Sequence, residues 1–379
     1  MLENTKKFCD SFLDLGLPGF DLAVYRGGEP ILRHMGGYSS LEEKTPITGR
    51  ERYNIYSCSK PITCTAALQL YERGLFSLDD RLSDYMPEFA DMMVYREGKT
   101  VPAEKPIFIK NLFEMNAGFS YNCSSPELLR AREETGGRCP TREVMRYLAR
   151  EPLLFEPGER YQYSLCHDVL AALVEVISGE RFECYVKGHI FDVAGMEKST
   201  FMLPDSELDT IAEQYRVVDG VTTNIGKRIF VYKFGDEYAS GGAGCISTVD
   251  DYMKFLEALR THKLISEETL TLMTTDRLTD STRSTYTAAS THGYGLGVRC
   301  KGPSEKYTDF GWGGAAGAFL AVDMESEISL YFGTHLLASP VQGLRSMLFR
   351  MVRAELFEPS DLKAIEGELA GLYNYKLTY

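Results

Sequence analysis

Residues 2–15 place Leu2, Phe8, Phe12 and Leu13 at helical spacing, and Gly16 and Pro18 end the run, so an N-terminal helix is predicted. The pattern then changes. Phe20, Leu22, Val24 and Ile31 flank Gly27-Gly28, which predicts a hairpin over residues 20–38. A helix is predicted over 57–73. Pro61 falls in its first turn, where a missing N–H costs nothing. Ala66, Ala67, Leu68, Leu70 and Tyr71 follow, and Gly74 closes it. From there to about residue 230, helical patterns joined by Gly/Pro loops dominate. The segment 166–178 reads as a helix with Leu170, Leu173, Val174 and Ile177 on its apolar face. Ala318–Asp323 and Glu327–Thr334 are short apolar runs that read as adjacent strands, and 340–357 reads as a helix carrying Leu344, Met347, Leu348 and Met351.

Strands near both ends and helices between them predict an α/β fold of the α+β type. The N- and C-terminal strands join in one antiparallel sheet, flanked by the terminal helices, with a mostly helical lobe inserted. In a single domain over 1–379, the sheet lobe takes residues 1–56 with 235–379, and the helical lobe takes 57–234. With 379 residues, 44% hydrophobic and 25% charged, the chain can build a sizeable core.

A net charge of −13 repels phosphate backbones, so no nucleic-acid partner is expected. The nine cysteines are odd in number and contain no Cys-x-x-Cys pair, which fits reduced thiols in a cytoplasm. Asp10 and Asp14 break the apolar stretch after Lys7, so no signal-peptide core is read there. No run approaches the ~20 apolar residues of a membrane helix. The expectation is a cytoplasmic protein without a membrane partner.

Candidate chemistry centres on Ser57 and Lys60. At i and i+3 on a helix they share a face. A serine hydroxyl is a weak nucleophile that needs a base, and a lysine serves only where its surroundings alter its charge. The helix N-terminus adds positive potential at Ser57. Spacing alone does not single this pair out, because Ser360 and Lys363 repeat it after Pro359, where Ser360 reads as a plain helix cap.

The surroundings of Ser57 separate the two. Tyr53-Asn54-Ile55-Tyr56-Ser57-Cys58-Ser59-Lys60-Pro61-Ile62-Thr63 resembles the nucleophile helix of the class C β-lactamase and penicillin-binding-protein superfamily. Arg73-Gly74-Leu75-Phe76-Ser77-Leu78-Asp79-Asp80, Tyr85-Met86-Pro87-Glu88-Phe89 and Ile109-Lys110-Asn111-Leu112-Phe113 continue the likeness, which covers roughly residues 18–360. The resemblance implies a β-lactamase/transpeptidase-like fold and acyl transfer through Ser57.

It also implies the partners of the serine. Tyr163, after Glu156-Pro157-Gly158, matches the tyrosine of the family's Tyr-x-Asn motif, which moves protons to and from the serine. Tyr161 faces the same way on an extended segment and reads as packing. Leu165 stands where the family has asparagine. Trp312-Gly313-Gly314 resembles the third motif, Lys-Thr-Gly in β-lactamases and Trp-Gly-Gly in related esterases. The N–H groups of Ser57 and Ala315 are then expected to form the oxyanion hole. Leu165 and Trp312 replace residues that hold a β-lactam's amide and carboxylate, which points to a neutral ester or small amide. Arg345 and Arg350 are candidates for a compensating anion site.

Other signals are weaker. Gly311 to Ala316 fits Gly-x-Gly-x-x-Ala, but a strand rather than a helix follows, against a dinucleotide site. Ser240-Gly241-Gly242-Ala243-Gly244 resembles a family loop, and Ser247 to Asp250 reads as capping. The histidines lack metal spacing, His167 reads as structural, and no Gly-x-Ser-x-Gly elbow exists. The expected protein is a serine hydrolase, an esterase first, acting on a small-molecule ester or amide with no cofactor and no metal. The alternatives are a β-lactamase, D-amino-acid-specific peptidase or amidase of the same fold, and a catalytically silent binding or sensor domain.

Overall fold

The protein's structure, a computed structural model, describes residues 1–227, 234–304 and 306–376. The elements that position the site are α1 (Glu3–Asp14), β1 (Gly19–Arg26), β2 (Glu29–Ser40), β3 (Thr45–Pro46), α2 (Ser59–Glu72), α3 (Cys166–Ser178), α4 (Val249–Arg260), β4 (His292–Tyr294), β5 (Arg299–Lys301), β6 (Phe310–Gly313), β7 (Phe319–Asp323), β8 (Ile328–Thr334), α5 (Met347–Phe357) and α6 (Asp361–Lys376). The strands form one eight-stranded antiparallel sheet in the order β4-β5-β6-β7-β8-β1-β2-β3. The two ends of the chain therefore meet at β8 and β1, as the strand pattern predicted.

Strand alternation divides the sheet between two cores. Phe20, Leu22 and Val24 of β1 and Ile328, Leu330 and Phe332 of β8 face α1 and α5. Ala23, Leu320, Val322 and Tyr331 face the other way, into the core shared with α2, α3 and α4. Tyr331 stacks on Tyr252 of α4 at 4.1 Å. α1 ends at Gly16, whose φ of 89° only glycine adopts readily. Its start is capped from α5: Glu355 accepts the N–H groups of Asn4 at 2.9 Å and Thr5 at 2.8 Å.

Some boundaries differ from the sequence pattern. The helix expected over 340–357 begins only at Met347; Ala338, in a left-handed conformation, Pro340 and Gly343 lie in a run of turns before it. The middle of the chain also holds two hairpins that helical periodicity missed. Met93–Arg96 pairs with Lys99–Pro102, and Gln214–Val218 pairs with Val221–Gly226. Their turns, Glu97-Gly98 and Asp219-Gly220, have positive φ at both residues, the geometry that suits a two-residue hairpin. Among the described residues, no helix is long and apolar enough to cross a membrane.

Phe332 lies in the apolar core against Phe12 at 5.7 Å and Phe20 at 5.8 Å. Phe332→Ala is expected to cost about 3–5 kcal/mol, read as a lower urea midpoint with an unchanged m-value.

Candidate active site

Ser57 lies in a single 3₁₀ turn, Tyr56–Cys58, immediately before α2. Tyr56 has a φ of +47°, a conformation that costs a non-glycine residue about 1–3 kcal/mol. Burial and a 3.0 Å hydrogen bond from its hydroxyl to Gln214 Oε1 hold it there. The turn directs Ser57 into a cavity of about 500 Å³.

Lys60 sits in the first turn of α2 and is wholly buried. Its Nζ donates to the carbonyl of Gly242 at 2.7 Å and to Ser57 Oγ at 3.3 Å. It also lies 4.4 Å from the centre of the Tyr163 ring and 5.6 Å from that of Tyr121, on faces that attract cations. The other polar groups of this turn are bonded too: Ser59 Oγ donates to Tyr56 O, and Thr63 Oγ1 to Gly241 O. Gly241 permits this approach, since a Cβ there would lie 2.3 Å from His167 O.

Tyr163 comes from the segment before α3, which is anchored to residues 115–120 by Gln162 N–H to Met115 O and Leu165 N–H to Ser120 O. Its hydroxyl donates to Ser57 Oγ at 2.6 Å. The ring is stacked between Tyr121, at 5.5 Å, and Trp312, at 5.9 Å. Trp312 Nε1–H donates to the Tyr163 hydroxyl at 3.4 Å.

Trp312 and Gly313 end β6, and a turn through Gly314 and Ala315 leads to β7. The glycine-rich segment thus joins two strands and opens no helix. A Cβ on Gly314 would lie 2.4 Å from Ile55 O, and one on Gly313 would lie 2.4 Å from Arg345 Nη2. Arg345 Nη1–H donates to Gly314 O at 2.6 Å. Ala315 lines the cavity beside Ser57, with Tyr161, Tyr286 and Phe319 among the aromatic walls.

Ser57, Lys60, Tyr163, Trp312, Gly313, Gly314 and Ala315 therefore come together. Leu165 does not. It is fully buried, outside the cavity wall, and its carbonyl opens α3 by accepting the N–H groups of Asp168 and Val169. The helix start ends the extended alternation that would have carried its side chain to the side of Tyr163. Tyr161 packs against Tyr286 and Tyr294 and also lines the cavity. Of the two arginines, Arg345 lines the cavity, whereas Arg350 pairs with Glu368 of α6. Ser360 and Lys363 are exposed where α6 begins. His167 is buried against Cys64 Sγ, 3.6 Å away, and burial pushes it down to about 3, so it stays neutral. Sequence reasoning missed Tyr121 and the Gly242 carbonyl; only the glycine-rich run at 240–244 hinted at the second.

A family model described as Beta-lactamase matches residues 6–344. Esterase EstB of Burkholderia gladioli is 28% identical over 282 residues, covering 67% of this chain and 68% of that protein. Lovastatin esterase of Penicillium rubens is 30% identical over 233 residues, 57% of each chain. Among solved structures, EstCE1, described as a hydrolase with promiscuous acyltransferase activity, superposes with a TM-score of 0.77 at 24% identity, covering 92% of this chain and 97% of its own.

Two measurements check this geometry. Gly314→Ala forces a methyl group against a backbone oxygen and is expected to cost about 1–3 kcal/mol in chemical denaturation. His167 has a folded pKa below its unfolded one. Its contribution is whole above about pH 6.5 and is lost as the pH falls toward about 3. His167→Gln should therefore flatten the acid limb of a stability–pH curve relative to wild type.

Proposed function

The chain belongs to the Beta-lactamase family, and from that premise we propose that it is a serine hydrolase acting through an acyl-Ser57 intermediate on a small carboxylic ester. The observation that carries the reading is the double contact on Ser57 Oγ: the Tyr163 hydroxyl at 2.6 Å and Lys60 Nζ at 3.3 Å, at the edge of an aromatic-walled cavity.

In acylation the reactive form of the pair is one proton short, a Tyr163 phenolate beside the Lys60 ammonium; Ser57 Oγ bonds to the ester carbonyl carbon while its proton passes to the Tyr163 oxygen. The N–H groups of Ser57 and Ala315 receive the carbonyl oxygen as it gains charge. Collapse of the tetrahedral species breaks the bond to the alcohol oxygen, which leaves with the proton. Water repeats the sequence on the acyl-enzyme and frees the acid. The tyrosine is held by stacking on both faces, so little reorganisation accompanies proton transfer.

Preference for an ester over a β-lactam is supported by the residues that line the cavity. Trp312 occupies the wall where a lysine would hold a carboxylate, and Leu165 is turned into the core, so neither offers a polar contact to an amide. Those two positions therefore give a lactam's amide and carboxylate no added hydrogen bond over a simple ester.

Ser57→Ala is expected to abolish labelling by a fluorophosphonate probe and to lower p-nitrophenyl ester hydrolysis by at least about 10³-fold, whereas Ser360→Ala retains both. Tyr163→Phe is expected to lower kcat by about 10²–10⁴-fold. Inactivity on short p-nitrophenyl esters with efficient β-lactam turnover would overturn the ester assignment.

A further inference from the structure

Asp168 lies in the first turn of α3, five residues after Tyr163, and is almost entirely buried. Its Oδ1 accepts hydrogen bonds from the Tyr238 hydroxyl at 2.8 Å and from Ser240 Oγ at 2.6 Å. Ser240 begins the turn whose Gly241 carbonyl takes Thr63 Oγ1–H and whose Gly242 carbonyl takes Lys60 Nζ. Oδ2 approaches the same turn. A Cβ on Gly242 would lie 2.6 Å from Asp168 Oδ2 and 3.4 Å from Lys60 Nζ. Carboxyl group and ammonium thus face each other across a single glycine, within the about 4–6 Å over which opposite charges stabilise one another.

Among the described residues, the groups around Asp168 leave Lys60 as its counter-charge. Tyr238, Cys123 and Cys166 act on it from the neighbouring segments, and burial pushes each of them up, so they stay neutral. Tyr121 and Ser240 add only dipoles from their hydroxyls. Burial holds the carboxyl of Asp168 above its usual range on balance, and Ser240, Lys60, Tyr238 and the Gly242 backbone pull it back toward the ionised form. A lone ammonium so far from water is costly, and pairing removes much of that cost.

We propose that Asp168 is the positioning residue and counter-ion of Lys60: it ties down the 240–242 turn whose carbonyl grips Nζ, and it balances the ammonium charge behind the Ser57–Lys60–Tyr163 set. The proposal rests on the serine hydrolase reading of that set. Asp168 touches no reacting atom. Its effect is on the proton count of the site, because removing a nearby negative charge makes a cationic site release its proton at lower pH.

The test is the pH dependence of kcat and KM for p-nitrophenyl acetate in wild type, Asp168→Asn and Ser240→Ala, per active site titrated with a fluorophosphonate. Asp168→Asn is expected to displace the kcat profile to lower pH by about 1 unit or more, with KM within about twofold. Ser240→Ala, which loosens the carboxylate without removing it, moves the profile the same way by less. A residue that merely supported the fold would lower the number of titratable sites and leave the profile in place. Superimposable profiles in both variants would overturn the proposal while leaving Ser57 as nucleophile. If Asp168→Asn does not fold, an unmoved Ser240→Ala profile overturns it alone. A wild type that neither hydrolyses the ester nor takes the probe would remove both the proposal and the reading beneath it.

Discussion

A lysine ammonium removed from water at the head of a buried helix is the constraint around which the rest of this structure is arranged. Lys60 has no contact with solvent, and its charge must be met by atoms the chain supplies. A backbone carbonyl, a serine hydroxyl and the faces of two tyrosines meet it. Each provider imposes a condition elsewhere. The Gly242 carbonyl reaches Nζ only because Gly241 and Gly242 carry no side chains where a Cβ would collide with His167 O and Asp168 Oδ2. The ring of Tyr163 reaches it only because the segment before α3 is tied to residues 115–120.

The second half of the site is held by the sheet. β6 and β7 are paired with Trp312 opposite Leu320 and Gly313 opposite Phe319, which sets the depth of the cavity wall. The turn after Gly314 presses so closely on Ile55 O that only glycine fits, and Arg345 fastens its carbonyl from the opposite side. Trp312 then closes against Tyr163, and Tyr121 backs the same ring. The sheet end and the helical segments therefore meet in one aromatic stack, whose middle ring carries the hydroxyl bonded to Ser57. Rigid support of this kind is what a proton-transferring group needs, since small displacements weaken it steeply.

Elements with strong periodicity are legible in the chain itself. α1, the β1–β2 hairpin and α3 fall where their apolar spacing and glycine stops place them, and β7 and β8 start within a residue of the expected runs. Elements with little internal pattern are not. β4 and β5 are three residues each, too short to show a period. The hairpin around Asp219-Gly220 carries its turn signal in plain view, yet beyond the buried Gln214 and Tyr215 its strands are largely exposed and carry no clear apolar alternation to frame it. The run of turns before α5 hides behind apolar residues that are buried without being helical, such as Val341 and Leu344.

The pairing of Ser57 with Lys60, and the order in which Tyr163 and Trp312-Gly-Gly follow, could be read from the chain alone, because helical spacing and local motifs are short-range properties. The sequence also contains an equal copy at Ser360 and Lys363, and nothing in the spacing tells them apart. The flanking motifs tell them apart, and the tertiary structure supplies the physical difference: burial surrounds Lys60 with a carbonyl, two rings and a buried carboxyl group, while Lys363 remains in water, which screens its charge. Leu165 shows the converse. Two positions from Tyr163, it was expected beside the substrate, yet the start of α3 turns it into the core. Local pattern decides what a segment becomes. Which side chains face one another across 100 or more residues depends on how the segments pack, and no local spacing records it.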